Sequence, residues 1–194
     1  METLNGGIEL KIIDLEISVS EQLIDITESI RDYIKEVRLK DGFVHIQIPE
    51  RTSAVTISIN DDWRLEREFF KKLNHLMPKY DGMMFTGWTT TNVKASIFGM
   101  TIQIMVQDGT LILDKNQSVY FIEFHGPGKR HYFMTTMGTT LSVGEESKIP
   151  ESLKALHEER TDLKTEHDRI QEEMRAEWRL KEEKRLEAEK TEKN

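Results

Sequence analysis

An α+β fold, with helices laid on antiparallel sheet, is what this sequence predicts, and three observations carry that reading. Apolar residues alternate in several short runs, two longer stretches carry them at helical spacing, and no glycine-rich turn joins a strand to a helix. The last point disfavours a Rossmann fold and a P-loop, and strands interrupted by helices without regular alternation disfavour a parallel sheet.

In chain order, Ile8, Leu10, Ile12 and Ile13 open a β-rich stretch of one or two strands running to Val19. Asp25, with Glu28 three residues on, is a helix-start signature ahead of Ile30, Tyr33, Ile34 and Val37, and this helix is expected to end near Lys40. Asp41-Gly42 reads as a turn into a strand at Phe43 to Ile48, and Val55, Ile57 and Ile59 give the next strand. Leu65, Phe69, Phe70, Leu73, Leu76 and Met77 mark a second amphipathic helix, closed by Pro78. A loop at Tyr80-Asp81-Gly82 precedes a hairpin whose strands, Ile102 to Val106 and Leu111 to Leu113, flank Asp108-Gly109. Tyr120 to Phe124 and Tyr132 to Thr135, either side of Gly126-Pro127-Gly128-Lys129, read as a second hairpin.

The C-terminal stretch is different in kind. From 151 to 194 about 25 of 44 residues are charged, and Pro150 with Glu151 marks the start of a long charged helix. Its stripe of Leu153, Leu156, Leu163, Ile170 and Met174 is thin, because Arg160 and His167 take two seam positions.

Composition bounds the function. The 194 residues are 37% apolar and 32% charged with a formal charge of -8, enough for one core and too acidic for broad phosphate-backbone binding. The basic turn Lys129-Arg130-His131 with Tyr132 and Phe133 is a small footprint for nucleic acid. No apolar run is long enough for a bilayer span, and Glu2, Glu9 and Asp14 do not suit a signal peptide, so a cytoplasmic protein without a membrane partner is expected. The absence of cysteine removes disulfides, thiolate zinc sites and a cysteine nucleophile. The six histidines form no pair at metal-ligand spacing.

Several blocks in order carry a resemblance: Asp25-Ile26-Thr27-Glu28, the run Asp41 to Pro49, Lys94-Ala95-Ser96-Ile97-Phe98-Gly99, Asp108-Gly109, Tyr120 to Phe124 and Gly126-Pro127. Together they resemble the YjbQ-type family, also called secondary thiamine-phosphate synthases, over about residues 8 to 140. The resemblance implies two packed, mainly antiparallel sheets with two helices, and a homotrimer. It also implies a pocket for a divalent metal or an anion, and a weak ability to join the two halves of thiamine phosphate. The domains expected are then a YjbQ-like body at 1–140, a linker at 141–150 and the charged helical tail at 151–194.

Against that family pattern the chain departs where chemistry is expected. Glu50 stands at the histidine position, Ser58-Ile59 replaces Asn-Glu, Thr90-Thr91-Asn92 replaces His-x-His, and Lys115-Asn116-Gln117 replaces Thr-Trp-Gln. Threonine and asparagine are poor ligands for a borderline divalent metal, and isoleucine cannot move a proton, so no metal, cofactor or catalytic residue is expected at the family site. Glu50 with Asp62 is a minimal oxygen set for magnesium or calcium, equally readable as solvated surface. The candidates for holding a ligand are Thr52, Asp62, Thr90, Asn92, Lys94, Ser96, Gln117 and Arg130. Lys94, Ser96 and Arg130, if convergent, would suit a phosphate or carboxylate; ordinary sheet-surface charge is the competing reading. The activity expected is a family chemistry lost or greatly weakened, with a pocket for a small anionic ligand retained. The alternative is a non-catalytic trimeric scaffold whose C-terminal helix bundles as a coiled coil or binds a protein partner.

Overall fold

The computed structural model describes residues 10–62, 64–78, 88–151, 153 and 154. The chain divides into two compact units, Met1–Leu153 and Lys154–Asn194. The described part of the first is an α+β domain of two antiparallel sheets and three helices.

Its elements are β1 (Lys11–Ile17), β2 (Gln22–Asp25), α1 (Thr27–Glu36), β3 (Leu39–Gln47), β4 (Ser53–Ile59), α2 (Leu65–Leu76), α3 (Trp88–Phe98), β5 (Thr101–Gln107), β6 (Thr110–Leu111), β7 (Gln117–Glu123) and β8 (Gly128–Thr140). One sheet has the order β1-β8-β3-β5-β6 and the other β2-β7-β4. Strands close in sequence are therefore repeatedly dealt to different sheets. Between the sheets lies the main core, built from Val44 and Ile46 of β3, Val55 of β4, Ile104 and Val106 of β5, Val119 and Phe121 of β7, Tyr132 and Met134 of β8, and Ile30, Tyr33 and Ile34 of α1. A second apolar layer covers the other face of the small sheet, where Phe70 and Leu73 of α2 and Ala95 of α3 meet Ala54, Ile122 and Phe124. β7 is thus buried on both faces, which explains why its residues Val119 to Glu123 read as a near-continuous apolar run.

The start of α1 follows the sequence signal with different wiring. The Asp25 carboxylate accepts hydrogen bonds from the Thr27 N–H at 2.9 Å and its hydroxyl at 2.5 Å, while Glu28 pairs forward with Arg31 instead of reaching back. The Thr27 hydroxyl also accepts from the Val119 N–H at 2.9 Å, fastening the helix start to β7. α1 ends at Glu36, earlier than expected, because Arg38 takes a left-handed φ of 54° and turns the chain into β3.

Three expectations are corrected. Asp41-Gly42 lies inside β3, not in a turn: a register shift falls between Leu39 and Asp41, and Gly42 pairs with Gly138 of β8. A Cβ on Gly42 would sit 2.0 Å from the Met137 carbonyl oxygen, and one on Gly138 2.0 Å from that of Asp41, so glycine here serves close backbone approach. Next, β7 and β8 are not a hairpin, since they belong to different sheets and the Gly126-Pro127 segment, with a cis peptide bond, carries the chain across. Finally, the described part of the body has three helices, not two, because Trp88–Phe98 is helical as well. The Asp108-Gly109 hairpin does form, with both residues at positive φ (49° and 76°) and Val106 opposite Leu111.

Residues 141–150, read as a linker, run along the body in hydrogen-bonded contact. Leu141 N–H donates to the Arg38 carbonyl at 2.7 Å, Lys148 N–H to that of Asp108 at 2.8 Å, and Lys40 pairs with Glu145. Glu151, Leu153 and Lys154 are helical after Pro150. The rest of the expected tail helix, like Ile8 and the Tyr80-Asp81-Gly82 loop, lies outside the described residues. Among the described residues no helix is long and apolar enough to cross a membrane.

Candidate functional site

The small sheet separates two charged networks, built around Glu123 and Lys94, the two fully buried charged side chains among the described residues. On its inter-sheet face, Glu123 at the end of β7 is fully buried. Its Oε2 accepts from Ser53 Oγ and from Arg130 Nε, both at 2.8 Å, and its Oε1 accepts from the His125 N–H at 2.7 Å. Arg130 comes from β8 in the other sheet and also donates to the carbonyls of His125 (3.2 Å) and Lys129 (3.0 Å). The ion pair therefore bridges the two sheets and staples the crossover between β7 and β8. Nearby, the Tyr132 hydroxyl bonds Ser29 at 2.8 Å, and burial pushes the phenol's pKa up.

On the opposite face, under α2 and α3, Lys94 is also fully buried. Its ammonium donates to Asn74 Oδ1 and to Glu21 Oε1 (3.3 Å), and it lies 6.0 Å from the centre of the Phe124 ring. The Asn74 amide completes the triangle by donating to Glu21 Oε2 at 2.7 Å. A buried charge is tolerable when paired and hydrogen-bonded, and each network is internally neutral.

The eight candidates separate into groups. Thr52 is buried at the turn before β4, its carbonyl accepting from the Phe124 N–H at 3.0 Å, at the same end of β7 as Arg130 and Lys94. Arg130 and Lys94 nevertheless lie on opposite faces of the sheet, separated by Glu123 and Phe124. Ser96 points out of α3, with its hydroxyl donating to the Asn92 carbonyl at 2.9 Å, so the cation, hydroxyl and guanidinium do not converge. Thr90 and Asn92 are half-buried on α3, and Asn92 Oδ1 is enclosed without a hydrogen-bond partner. Gln117 starts β7, about 20 Å of strand away from Glu123. There it closes the turn by accepting from the Asp114 N–H at 3.1 Å and donating its own N–H to the Asp114 carbonyl. Asp62 lies at that far end too, beyond β4, held by Arg64 at 3.0 Å. Glu50 precedes β4 and Asp62 follows it, so the minimal oxygen pair is not assembled. Among the described residues no group of three His, Asp or Glu is placed to hold a metal ion.

Sequence reasoning missed Glu21, Asn74, Ser53 and Glu123. Glu123 had a readable signal: a lone carboxylate inside the apolar run from Val119 to Phe124 must be buried and therefore paired. Arg130, read within a basic surface turn, faces inward.

A two-sheet α+β domain with three helices and internally paired buried charges is the class of protein these observations define. A model of the family described as "UPF0047 protein YjbQ-like" matches residues 11–139, and the chain belongs to that family. It is 33% identical over 119 residues to UPF0047 protein MJ1081 of Methanocaldococcus jannaschii, covering 61% of this chain and 86% of that one. UPF0047 protein YugU of Bacillus subtilis is 29% identical over 132 residues, covering 66% of this chain and 99% of YugU. Among solved structures, an uncharacterized YjbQ/UPF0047-family protein from Clostridium acetobutylicum superposes with a TM-score of 0.63 at 30% identity, covering 66% of this chain and 99% of its own. The hypothetical protein APE1520 from Aeropyrum pernix shares the fold at 20% identity, with the same TM-score and coverages of 68% and 99%.

Proposed function

We propose that this chain is a YjbQ-family protein whose metal-dependent chemistry has been lost or greatly weakened and whose body holds a small anionic ligand. The observation that carries the reading is the composition of the family site. Glu50, Ile59, Thr90 and Asn92 stand where the resemblance implies imidazoles and a carboxylate. A hydroxyl and a carboxamide are weak donors to a borderline divalent cation, and an alkyl side chain neither binds one nor shuttles protons. Lys94 and Arg130, the cations retained from the family pattern, are each paired with a carboxylate, Glu21 and the fully buried Glu123, which favours a structural role for both.

The test is formation of thiamine phosphate from its two phosphorylated halves, with and without zinc or magnesium. The native chain is compared with a variant carrying Glu50→His, Ile59→Glu, Thr90→His and Asn92→His. No turnover by the native chain, with turnover by the quadruple variant, is expected. Turnover by the native chain overturns the reading.

A second reading, a trimeric scaffold, is favoured by the outer face of the large sheet. Ile12, Met105 and Met137 are 56%, 69% and 61% exposed there. Assembly through this face would cover these apolar side chains.

A further inference from the structure

We propose that the free edge of β1 takes up an extended segment of another protein as an added antiparallel strand, and that the segment it fits alternates basic with apolar residues.

β1 is a terminal strand of the large sheet and is hydrogen-bonded to β8 alone. At seven residues it is long for an edge, and alternate N–H and C=O groups along it point away from β8. Among the described residues, the backbone of residues 12–17 makes no hydrogen bond beyond those to β8. The other terminal strands are short or capped. β2 has four residues, and its Leu23 N–H donates to the Glu66 carboxylate at 3.1 Å. β6 has two, and its Thr110 hydroxyl donates to the Lys148 carbonyl at 3.0 Å. β4 donates its Val55 N–H to the Gly99 carbonyl at 3.1 Å. A long strand left open where its counterparts are closed is a template for another strand.

The side chains define what kind of strand. β1 alternates Ile13 and Leu15, half-buried and packed against the main core, with Asp14 and Glu16, exposed on the outer face. The core therefore runs out to the edge, and apolar residues at every second position of an added strand would extend it. The intervening positions fall beside Asp14 and Glu16. In the register with β8 these carboxylates stand opposite His131 and Lys129, but among the described residues no ion pair joins them. A strand on the other side of β1 can supply the cations that β8 does not. Opposite charges placed directly across from one another stabilise a strand pair, and like charges oppose it. That rule disfavours a second copy of β1 as the occupant. A two-fold pairing sets outward residues against outward residues: centred on Asp14 it places Asp14 against Asp14, and shifted in register it places Asp14 against Glu16 or Ile12. The formal charge of -8 also favours a basic partner.

The experiment measures binding of the full chain to three labelled peptides by fluorescence anisotropy: Thr-Val-Lys-Val-Lys-Val-Thr, the same peptide with glutamate in place of lysine, and the lysine peptide with every backbone amide N-methylated. The lysine peptide is expected to bind, and the methylated one to show no binding. The glutamate peptide should bind about tenfold or more weakly, the scale of two cross-strand charge pairs turned from attraction to repulsion. Asp14→Lys with Glu16→Lys should reverse the preference, whereas Glu146→Lys in the 141–150 segment should leave it unchanged. All three positions are exposed, so the variants are expected to keep the native thermal midpoint. Hydrogen exchange should slow within Lys11–Ile17 when the lysine peptide is bound. Equal affinity for the lysine and methylated peptides overturns strand addition. A preference unmoved by the double charge reversal, or protection confined to another strand, overturns the site. No binding of the lysine peptide overturns the proposal as a whole, and a native mass of two chains that the double variant changes would give the edge to a second copy instead.

Discussion

Arg130 and Glu123 show how the same residue type changes meaning with its surroundings. In an exposed position this ion pair would contribute little; bridging two sheets, with the carboxylate fully buried, it is a liability if broken. Arg130→Met leaves the Glu123 charge enclosed with only the Ser53 hydroxyl and the His125 N–H, so a loss of about 3–5 kcal/mol in urea unfolding is expected. Adding Glu123→Gln removes the unpaired charge, keeps an acceptor for the His125 N–H and lets the Ser53 hydroxyl accept from the new amide, and should recover part of the loss. Additive costs in the double variant would mean that the two side chains act independently, against the inter-sheet role. Arg130 was legible in the sequence as a residue that matters, and its partner and direction were not. A basic turn gives no sign of which cation faces inward until β8 is assigned to the opposite sheet from β7.

At the scale of elements, the segment 141–150 shows how a stretch with little local pattern can be held by specific contacts. Lys40 and Glu145 pair across it, and the hydrogen bond raises the pKa of the Lys40 ammonium and lowers that of the Glu145 carboxyl, helped by the Ser142 N–H. The lowered carboxyl gives a contribution fully present above the unfolded carboxylate value and lost as pH falls through its folded one. The raised ammonium gives one fully present below the unfolded lysine value and lost as pH rises through its folded one. The strap should therefore hold evenly from about pH 5 to about pH 10 and loosen on either side. Limited proteolysis within 141–150 checks this, with slow cleavage across the plateau and faster cleavage at pH 7 in Lys40→Met. A rate in that variant equal to the native one would remove the pair from the account. Elsewhere, legibility followed local physics. Asp108-Gly109 was readable because both residues must take positive φ in a two-residue hairpin, and α2 because Phe69, Phe70 and Leu73 share one face. α3 was not, since it turns Thr91 and Lys94 inward and leaves Val93 and Ile97 47% and 62% exposed, which cancels the amphipathic signal. Gly126-Pro127 misled because a tight turn between two alternating runs looks the same whether the strands pair or part.

For the whole molecule, the open question of assembly turns on one surface. The inward faces of both sheets and the outward face of the small one are covered by apolar packing, leaving the outward face of β1, β8, β3 and β5 as the large uncovered sheet surface among the described residues. Across it, the register lines up Ile12 with Phe133, Thr135 with His45 and Gln103, and Met137 with Phe43 and Met105. A monomer in water would keep Ile12, Met105 and Met137 exposed across it, an apolar row that another surface would cover. Three copies related by a three-fold axis would cover it, and light scattering of the full chain should give a mass of three chains. Met105→Glu with Met137→Glu places charges on the row and should shift that mass to one chain without lowering unfolding cooperativity, because both side chains are outside the core. A native mass of one chain would remove the assembly. A trimer unaffected by the two glutamates would move its interface to another face.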